Sequence, residues 1–252
     1  MEQNTLQNKN IRLSKSAIQS YEQCPWKFWI EYVLRIRPEK IPEAAQMGID
    51  IHNLFDSYFK GNLGVLQNKK EYKVHVDNFI NFNEFCKVDP LLHEGKFKDD
   101  ELNYSGILDR LQTINGETWL IDYKTGNCKS QRWDDKLHRY VECSPIDNYL
   151  FELYGYAYLT NKFTEFKVDR VAIFFTAPDG GVVDSKVITQ KDIDETVEHI
   201  KKVDSEIKEK LKLGESAFKC TKSSLCKWIC NHGEDGDKAI EMHKDKLNGN
   251  TN

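Results

Sequence analysis

The fold is decided by one stretch of the chain, Ser105-Gly-Ile-Leu-Asp109 followed by Trp119-Leu-Ile-Asp122-Tyr-Lys124. Asn115-Gly116 lies between the two halves, and Asn-Gly is a strong signal for a two-residue hairpin turn. If this turn closes an antiparallel hairpin, Asp109 lies directly opposite Asp122, with Cβ atoms about 5 Å apart. Like charges repel each other in that position, so the pattern predicts a hard divalent cation between them.

Lys124 extends this charged pattern, because it lies two residues after Asp122 and a strand directs both side chains to the same face. A cation held by carboxylates, with an ammonium group beside it, is suited to attack on a phosphodiester. The alternative is an ordinary charged hairpin that faces water. Leu108 and Leu120 argue for a hairpin that is at least half buried, and a buried pair of carboxylates requires a partner.

The composition limits the classes of protein to which this chain can belong. A chain of 252 residues with 39% hydrophobic and 30% charged residues is one large globular domain, or one domain with attached pieces. It contains no apolar run long enough for a bilayer, and Met1 to Asn10 lacks the apolar segment of a secretory signal. We therefore expect an intracellular, cytoplasmic protein with no membrane partner. An odd count of seven cysteines argues against a disulfide framework and favours metal or cluster ligation for some of them.

The order of predicted elements indicates an α/β fold with a small mixed sheet flanked by helices. The hydrophobic spacing predicts helices over 14–36, with a break at Pro25, and over 43–59, 72–87, 147–161 and 190–213. Predicted strands cover 103–113, 118–124, 168–176 and 182–188, and 94–97 is a possible first strand of the sheet.

Four motifs follow one another along the chain: Ser14 to Cys24-Pro25, Gly48 to His52, Gly106 to Arg110 and Ile121 to Gly126. Together they resemble the RecB-type branch of the PD-(D/E)XK nuclease superfamily. The resemblance implies a restriction-endonuclease-like core in a single nuclease domain over 12–230. It also implies that 12–36 and 215–232 form a cluster-binding part, with a polar tail over 236–252.

The resemblance implies roles for the charged residues. Asp109 and Asp122 would hold Mg²⁺ or Mn²⁺, with the backbone carbonyl of Tyr123 and the side chain of His52 as further ligands. Lys124 would orient the attacking water and stabilise the charge that develops on the phosphate. Outside this resemblance, His52 would be read as a histidine satisfied within a helical core.

The helix over 147–161 departs from the family, which usually has Gln-x-x-x-Tyr there. One alignment places Glu152 at the glutamine and Tyr156 at the tyrosine, and the other places Leu150 and Tyr154 there. We prefer Glu152 and Tyr156, because glutamate keeps the shape and an acceptor oxygen, and we assign both to DNA positioning. Plain core packing is the alternative for this tyrosine-rich helix.

The cysteines also depart from the family pattern. Cys24, Cys220, Cys226 and Cys230 match the four ligands of the iron–sulfur members, which include CRISPR-associated and AddB-type nucleases. The C-terminal spacing is C-x5-C-x3-C, whereas the family usually has C-x2-C and a longer gap. We expect a [4Fe–4S] cluster, with Zn²⁺ or unligated thiols as alternatives. His232 could replace one thiolate.

A locally basic stretch follows the second hairpin strand, although the net charge of the chain is −4. Lys129, Arg132 and Lys136 are its candidate DNA contacts. A solvated loop or helix face is the alternative interpretation of this stretch.

Together these features favour a metal-dependent DNA exonuclease that acts on single-stranded DNA or duplex ends, in recombination, repair or phage replication. A helicase partner would be a separate chain, because the sequence contains no G-x-x-x-x-G-K-[ST] motif. The alternative is a non-catalytic DNA-binding module that is stabilised by the iron–sulfur cluster or zinc. The oligomeric state is not predicted.

Overall fold

The computed structural model describes residues 11–36, 41–62, 70–134, 138–177 and 181–220. The chain divides into two compact units. One comprises Met1–Ile41, Asp100–Tyr104 and Glu198–Asn252, and the other comprises Pro42–Asp99 and Ser105–Val197. The catalytic motifs predicted from the sequence all lie in the second unit, whereas Cys24 and Cys220 of the predicted cluster lie in the first.

The second unit is built on a five-stranded sheet with the order β1-β2-β3-β6-β7. Its strands are β1 (Leu92–Asp99), β2 (Tyr104–Ile114), β3 (Glu117–Lys124), β6 (Arg170–Phe175) and β7 (Val182–Val187). The pairs β2–β3 and β6–β7 are antiparallel, and β3–β6 is parallel. The sheet is therefore mixed, as the sequence predicted.

The hairpin between β2 and β3 has the register that the Asn115-Gly116 turn predicts. Ile114 pairs with Glu117 next to the turn, and the ladder continues to Arg110 opposite Ile121. Both turn residues are left-handed, with φ of 52° and 83°. This conformation belongs to a type I′ turn, whose twist matches that of the two strands.

Helices cover both faces of the sheet. Helices α3 (Glu43–Phe59) and α4 (Lys73–Cys86) pack in one cluster with Ile121 and Tyr123 of β3. Helix α5 (Leu150–Phe163) packs in a second cluster with Leu120 of the same strand. Because side chains alternate along a strand, β3 contributes Asp122 and Lys124 to the α5 side.

The first unit contains the N-terminal helices. Helix α1 (Lys15–Gln23) begins after Ser14, whose hydroxyl accepts a hydrogen bond from the amide of Ala17. The helix ends before Cys24-Pro25, as the proline predicts, and a short helix α2 (Pro25–Phe28) follows, with a π-helical turn at Trp29–Val33. Helix α6 (Gln190–Leu213) has residues in both units.

The basic stretch after β3 is a loop over 125–130, as one interpretation of the sequence suggested. It then forms a two-stranded antiparallel ribbon of β4 (Gln131–Asp134) and β5 (Arg139–Glu142), which the sequence did not predict. Each strand has only four residues, which is too short for a reliable alternation signal.

The hairpin turn should contribute measurably to stability. Gly116→Ala places a side chain in the left-handed region, so we expect unfolding to become easier by about 1–2 kcal/mol. Gly126→Ala is the matched control, because Gly126 lacks a left-handed φ and a Cβ there meets no atom within 4 Å. Urea unfolding followed by circular dichroism compares the two. Equal stability of both variants would contradict this role of the turn.

Candidate metal centre and active site

Asp122 and Lys124 form the charged pair of strand β3. The Nζ atom of Lys124 lies 2.6 Å from Oδ2 of Asp122, and the Asp122 side chain is only 5% exposed. This oxygen is buried and, among the described residues, receives no well-aligned hydrogen bond, so the contact with Lys124 is mainly Coulombic. Burial raises the pKa of Asp122 and outweighs the opposing effect of Lys124, with further increases from Asp109 and Glu152.

Asp109 joins the hairpin to helix α3. Its Oδ2 accepts a 2.6 Å hydrogen bond from the amide of Tyr123, and its Oδ1 lies 3.1 Å from Nδ1 of His52. The other ring nitrogen of His52, Nε2, lies 3.2 Å from the carbonyl oxygen of Tyr123. The histidine, the carboxylate and the backbone carbonyl that the sequence assigned to one metal site are therefore in direct contact.

The ring of His52 has an acceptor on each side, which suits a protonated imidazolium. Burial lowers the pKa of His52, but the hydrogen bond and the charge of Asp109 raise it to about 9. A positive charge is thus favoured at this position. The same negative surroundings would attract a metal cation.

Glu94 is a site residue that the sequence analysis missed. Ligand atoms of His52, Glu94 and Asp109 all lie within 4.8 Å of one another. Burial and the nearby charge of Asp109 raise the pKa of Glu94 to about 7. Glu94 is on β1, and no sequence motif indicated that this strand pairs with the rest of the sheet. Its only signal in the sequence was its place in a possible strand.

Asp122 is not one of the three residues of this group, and its sharing of a cation with Asp109 stays a prediction. Its carboxylate is in contact with Lys124. The two aspartates still influence each other, since the charge of Asp109 raises the pKa of Asp122. The site therefore consists of a His52–Glu94–Asp109 group with the Asp122–Lys124 pair beside it.

Helix α5 adds a second acid to Lys124. Oε2 of Glu152 accepts a hydrogen bond from Nζ of Lys124 at 3.3 Å, and Oε1 accepts one from the hydroxyl of Tyr156 at 3.2 Å. Leu150 and Tyr154, the residues that the other motif alignment would select, both pack in the apolar cluster on this face of the sheet.

Comparisons with known proteins identify the family of the chain. The chain matches the PD-(D/E)XK nuclease superfamily over residues 12–80 and 76–233. It belongs to that superfamily. Its structure also resembles a crystal structure from Eubacterium rectale described as a candidate exonuclease, with a TM-score of 0.58 and 14% identity. That likeness covers 88% of this chain and 90% of the other, and it supports the fold alone.

The comparison with curated proteins gave no significant match. The superfamily match confirms the predicted family and the restriction-endonuclease-like mixed α/β fold, and membership supports the use of a divalent metal. It does not distinguish the iron–sulfur branch. None of the described helices has the length and apolar character required to cross a membrane.

The predicted cluster of this PD-(D/E)XK protein is only partly described. Cys24 is buried after helix α1, and Cys220 is half-buried. Cys226, Cys230 and His232 lie outside the described residues. The 236–252 tail also lies outside them, and the cluster stays a prediction.

The predicted DNA contacts are also described in part. Lys129 is exposed between β3 and the β4–β5 ribbon, and Arg132 is exposed on β4. The side chain of Asn148, next to α5, donates a hydrogen bond to the carbonyl of Lys129 at 3.3 Å. Lys136 lies outside the described residues.

Glu94 provides a test of the metal centre. Removing its charge with Glu94→Gln should weaken Mn²⁺ binding by about tenfold or more, because a hard cation prefers carboxylate oxygens. Isothermal titration calorimetry with MnCl₂ measures this change. The control is Glu142→Gln, which removes an exposed charge from β5. Equal Mn²⁺ affinity of both variants would exclude Glu94 from the centre.

Proposed function

We propose that this PD-(D/E)XK protein is a metal-dependent exonuclease that hydrolyses phosphodiester bonds in single-stranded DNA or at duplex ends. The proposal rests above all on one observation: His52, Glu94 and Asp109 converge beside the ion pair of Asp122 and Lys124. Superfamily membership supports the nuclease chemistry. The preference for ends derives from the resemblance of the motifs to RecB-type exonucleases.

The donor set fits Mg²⁺ or Mn²⁺. It offers carboxylate oxygens, a backbone carbonyl and one imidazole, which suit hard cations and manganese. Asp122 adds a further buried carboxylate beside this group, with its Oδ2 in contact with Lys124. We assign His52, Glu94, Asp109, Asp122 and the carbonyl of Tyr123 to this cation. When bound, it would polarise the phosphate and lower the pKa of a water.

Lys124 is assigned to the reacting phosphate. Lys124 is on the same strand as Asp122, two residues further on, so its backbone position is fixed relative to that carboxylate. Burial lowers the pKa of Lys124, but the charges of Asp122 and Glu152 raise it by more, so the pKa lies above its usual value and the group stays charged at neutral pH. A fixed positive charge stabilises the negative charge that develops on the phosphate oxygens.

Lys129 and Arg132 are proposed to contact the DNA backbone. They lie on the segment that begins at Lys124, the last residue of β3, and continues into the β4–β5 ribbon. Neutralisation of phosphates by such exposed cations supplies affinity that does not depend on sequence. Lys136 would extend this surface. A separate helicase partner and a role in recombination, repair or phage replication derive from the family resemblance.

The competing function is a DNA-binding module without catalysis. The observed charges disfavour it, because Asp109, Asp122 and Glu152 are all buried within one site. Even when buried acids are paired, as these are with Lys124 and His52, the cost of removing them from water can exceed the gain from pairing. A protein that only binds DNA would gain nothing from this cost.

Activity measurements separate these two functions. Wild-type protein should degrade end-labelled linear single-stranded DNA with Mn²⁺ and not with excess EDTA, and it should leave circular single strands intact. Asp122→Asn should abolish cleavage, and Lys124→Ala should lower the rate by about 10²-fold with little change in DNA affinity. Asp77→Asn is the control, because it removes a half-exposed carboxylate of α4. Cleavage in EDTA would refute the metal mechanism, and cleavage of circles would refute exonuclease action.

We also propose that Cys24, Cys220, Cys226 and Cys230 hold a [4Fe–4S] cluster, with zinc as the alternative. The described ligands fit this role. Phe218, two residues before Cys220, packs against Phe28 and Trp29, with ring centroids 6.2 and 5.0 Å apart. The buried Cys24 precedes these rings by a few residues, so both described cysteines belong to segments with buried aromatic side chains. Thiolates among apolar groups suit a cluster.

The cluster can be tested without an activity assay. Anaerobically purified protein should be brown, absorb in the visible range and contain iron, and Cys24→Ser should lose the colour and part of the iron. Cys128→Ser, which changes an exposed cysteine outside the proposed set, should keep both. Colourless wild-type protein that contains zinc would support the zinc alternative, and protein with neither metal would refute both.

A further inference from the structure

The Lys124 ammonium group is held from two sides. On its own strand, Asp122 lies 2.6 Å away, and from helix α5, Glu152 lies 3.3 Å away. The ring of Tyr149, just before α5, has its centroid 5.1 Å from Nζ. A lysine has a long, flexible stem, so contacts of this kind are needed to fix its charge at one position.

Glu152 is itself held by Tyr156. The two residues are one helical turn apart on α5, and the Tyr156 hydroxyl donates a 3.2 Å hydrogen bond to Oε1. The other oxygen, Oε2, accepts the hydrogen bond from Lys124. The Glu152 side chain is 8% exposed. A chain of hydrogen bonds thus leads from Tyr156 through Glu152 to Lys124.

Gly106 leaves the space that the Tyr156 ring occupies. A Cβ atom at this position would lie 2.6 Å from Cε1 of the Tyr156 ring, which is far closer than two carbon atoms can approach. Gly106 precedes Asp109 on β2 by three residues. Gly106 is therefore needed to leave room for Tyr156, which supports Glu152.

We propose that Glu152 and Tyr156 are positioning residues that hold Lys124 in place, and that they are not the DNA contacts that the sequence suggested. This inference rests on the proposed nuclease function, in which Lys124 acts on the phosphate. The Glu152–Lys124 contact supports it, because a carboxylate buried against a lysine is poorly suited to bind a DNA phosphate.

Glu152 explains how Asp122 can bind the cation while Lys124 keeps a negatively charged partner. Oδ2 of Asp122 contacts Lys124, and Asp122 is also assigned to the cation. Glu152 gives Lys124 a second counter-charge that is independent of Asp122. A glutamine at position 152 would supply only a neutral hydrogen-bond acceptor, which is weaker.

The test is a kinetic comparison of Tyr156→Phe and Glu152→Gln with wild type on single-stranded DNA. Removal of one hydrogen bond to the Glu152 carboxylate should lower kcat about fivefold for Tyr156→Phe, and loss of the charge itself should lower it more for Glu152→Gln. KM and the Kd for DNA, measured by anisotropy with Ca²⁺, should change less than about twofold, since neither residue binds substrate.

Tyr158→Phe is the matched control. Tyr158 is on the same helix, is also half-buried and also donates a hydrogen bond to a buried carboxylate, that of Asp99 at 2.6 Å. Tyr158 is not part of the chain of hydrogen bonds that leads to Lys124, so kcat should stay at the wild-type value. Gly106→Ala, which displaces the Tyr156 ring, should lower kcat in the same way as Tyr156→Phe.

A double-mutant cycle decides whether the effect passes through Lys124. In the Lys124→Ala background, Tyr156→Phe should have no further effect on the residual rate. An equal loss in both backgrounds would overturn the inference, as would a raised Kd with unchanged kcat, or an equal loss in Tyr158→Phe. Inactive wild-type protein would instead refute the proposed nuclease function.

Discussion

The register of the β2–β3 hairpin is the constraint on which the rest of this structure depends. The left-handed Asn115-Gly116 turn fixes the pairing of Ile114 with Glu117, and every later pair follows from it. Side chains alternate along β3, so a slip by one residue would exchange its two faces. Ile121 and Tyr123 would then leave the core formed with α3 and α4, and Asp122 and Lys124 would enter it. The apolar core and the charged site therefore select the same register.

The site concentrates negative charge where water is largely excluded. Three acids, Asp109, Asp122 and Glu152, are buried, and Glu94 is close to the first of them. Lys124 and His52 oppose this charge, and the pKa of His52 rises to about 9 in consequence. Such a group of acids is costly for a fold that makes no use of it. It is favourable for a protein that binds a divalent cation, which is the requirement of the superfamily chemistry.

Helix α5 has two roles in this arrangement. Leu153 and Ala157 pack in the apolar cluster with β3 and β6, which fixes the helix on the sheet. Glu152 and Tyr156 lie on the same helix and reach Lys124. The position of a charged group in the site thus depends on ordinary core packing one residue away. Helix α5 therefore fixes the position of the Lys124 side chain, which is flexible by itself.

The sequence by itself determined the hairpin, its register, the mixed α/β fold and the grouping of His52, Asp109 and Tyr123, because these follow from local turn chemistry, alternation and recognisable motifs. Tertiary structure alone decided three other features. Glu94 entered the site through strand pairing, which no local pattern specifies. The β4–β5 ribbon formed from strands too short to give a periodic signal. Glu152 turned to Lys124 because α5 packs over β3, and a contact between residues 28 positions apart depends on that packing and not on either segment alone.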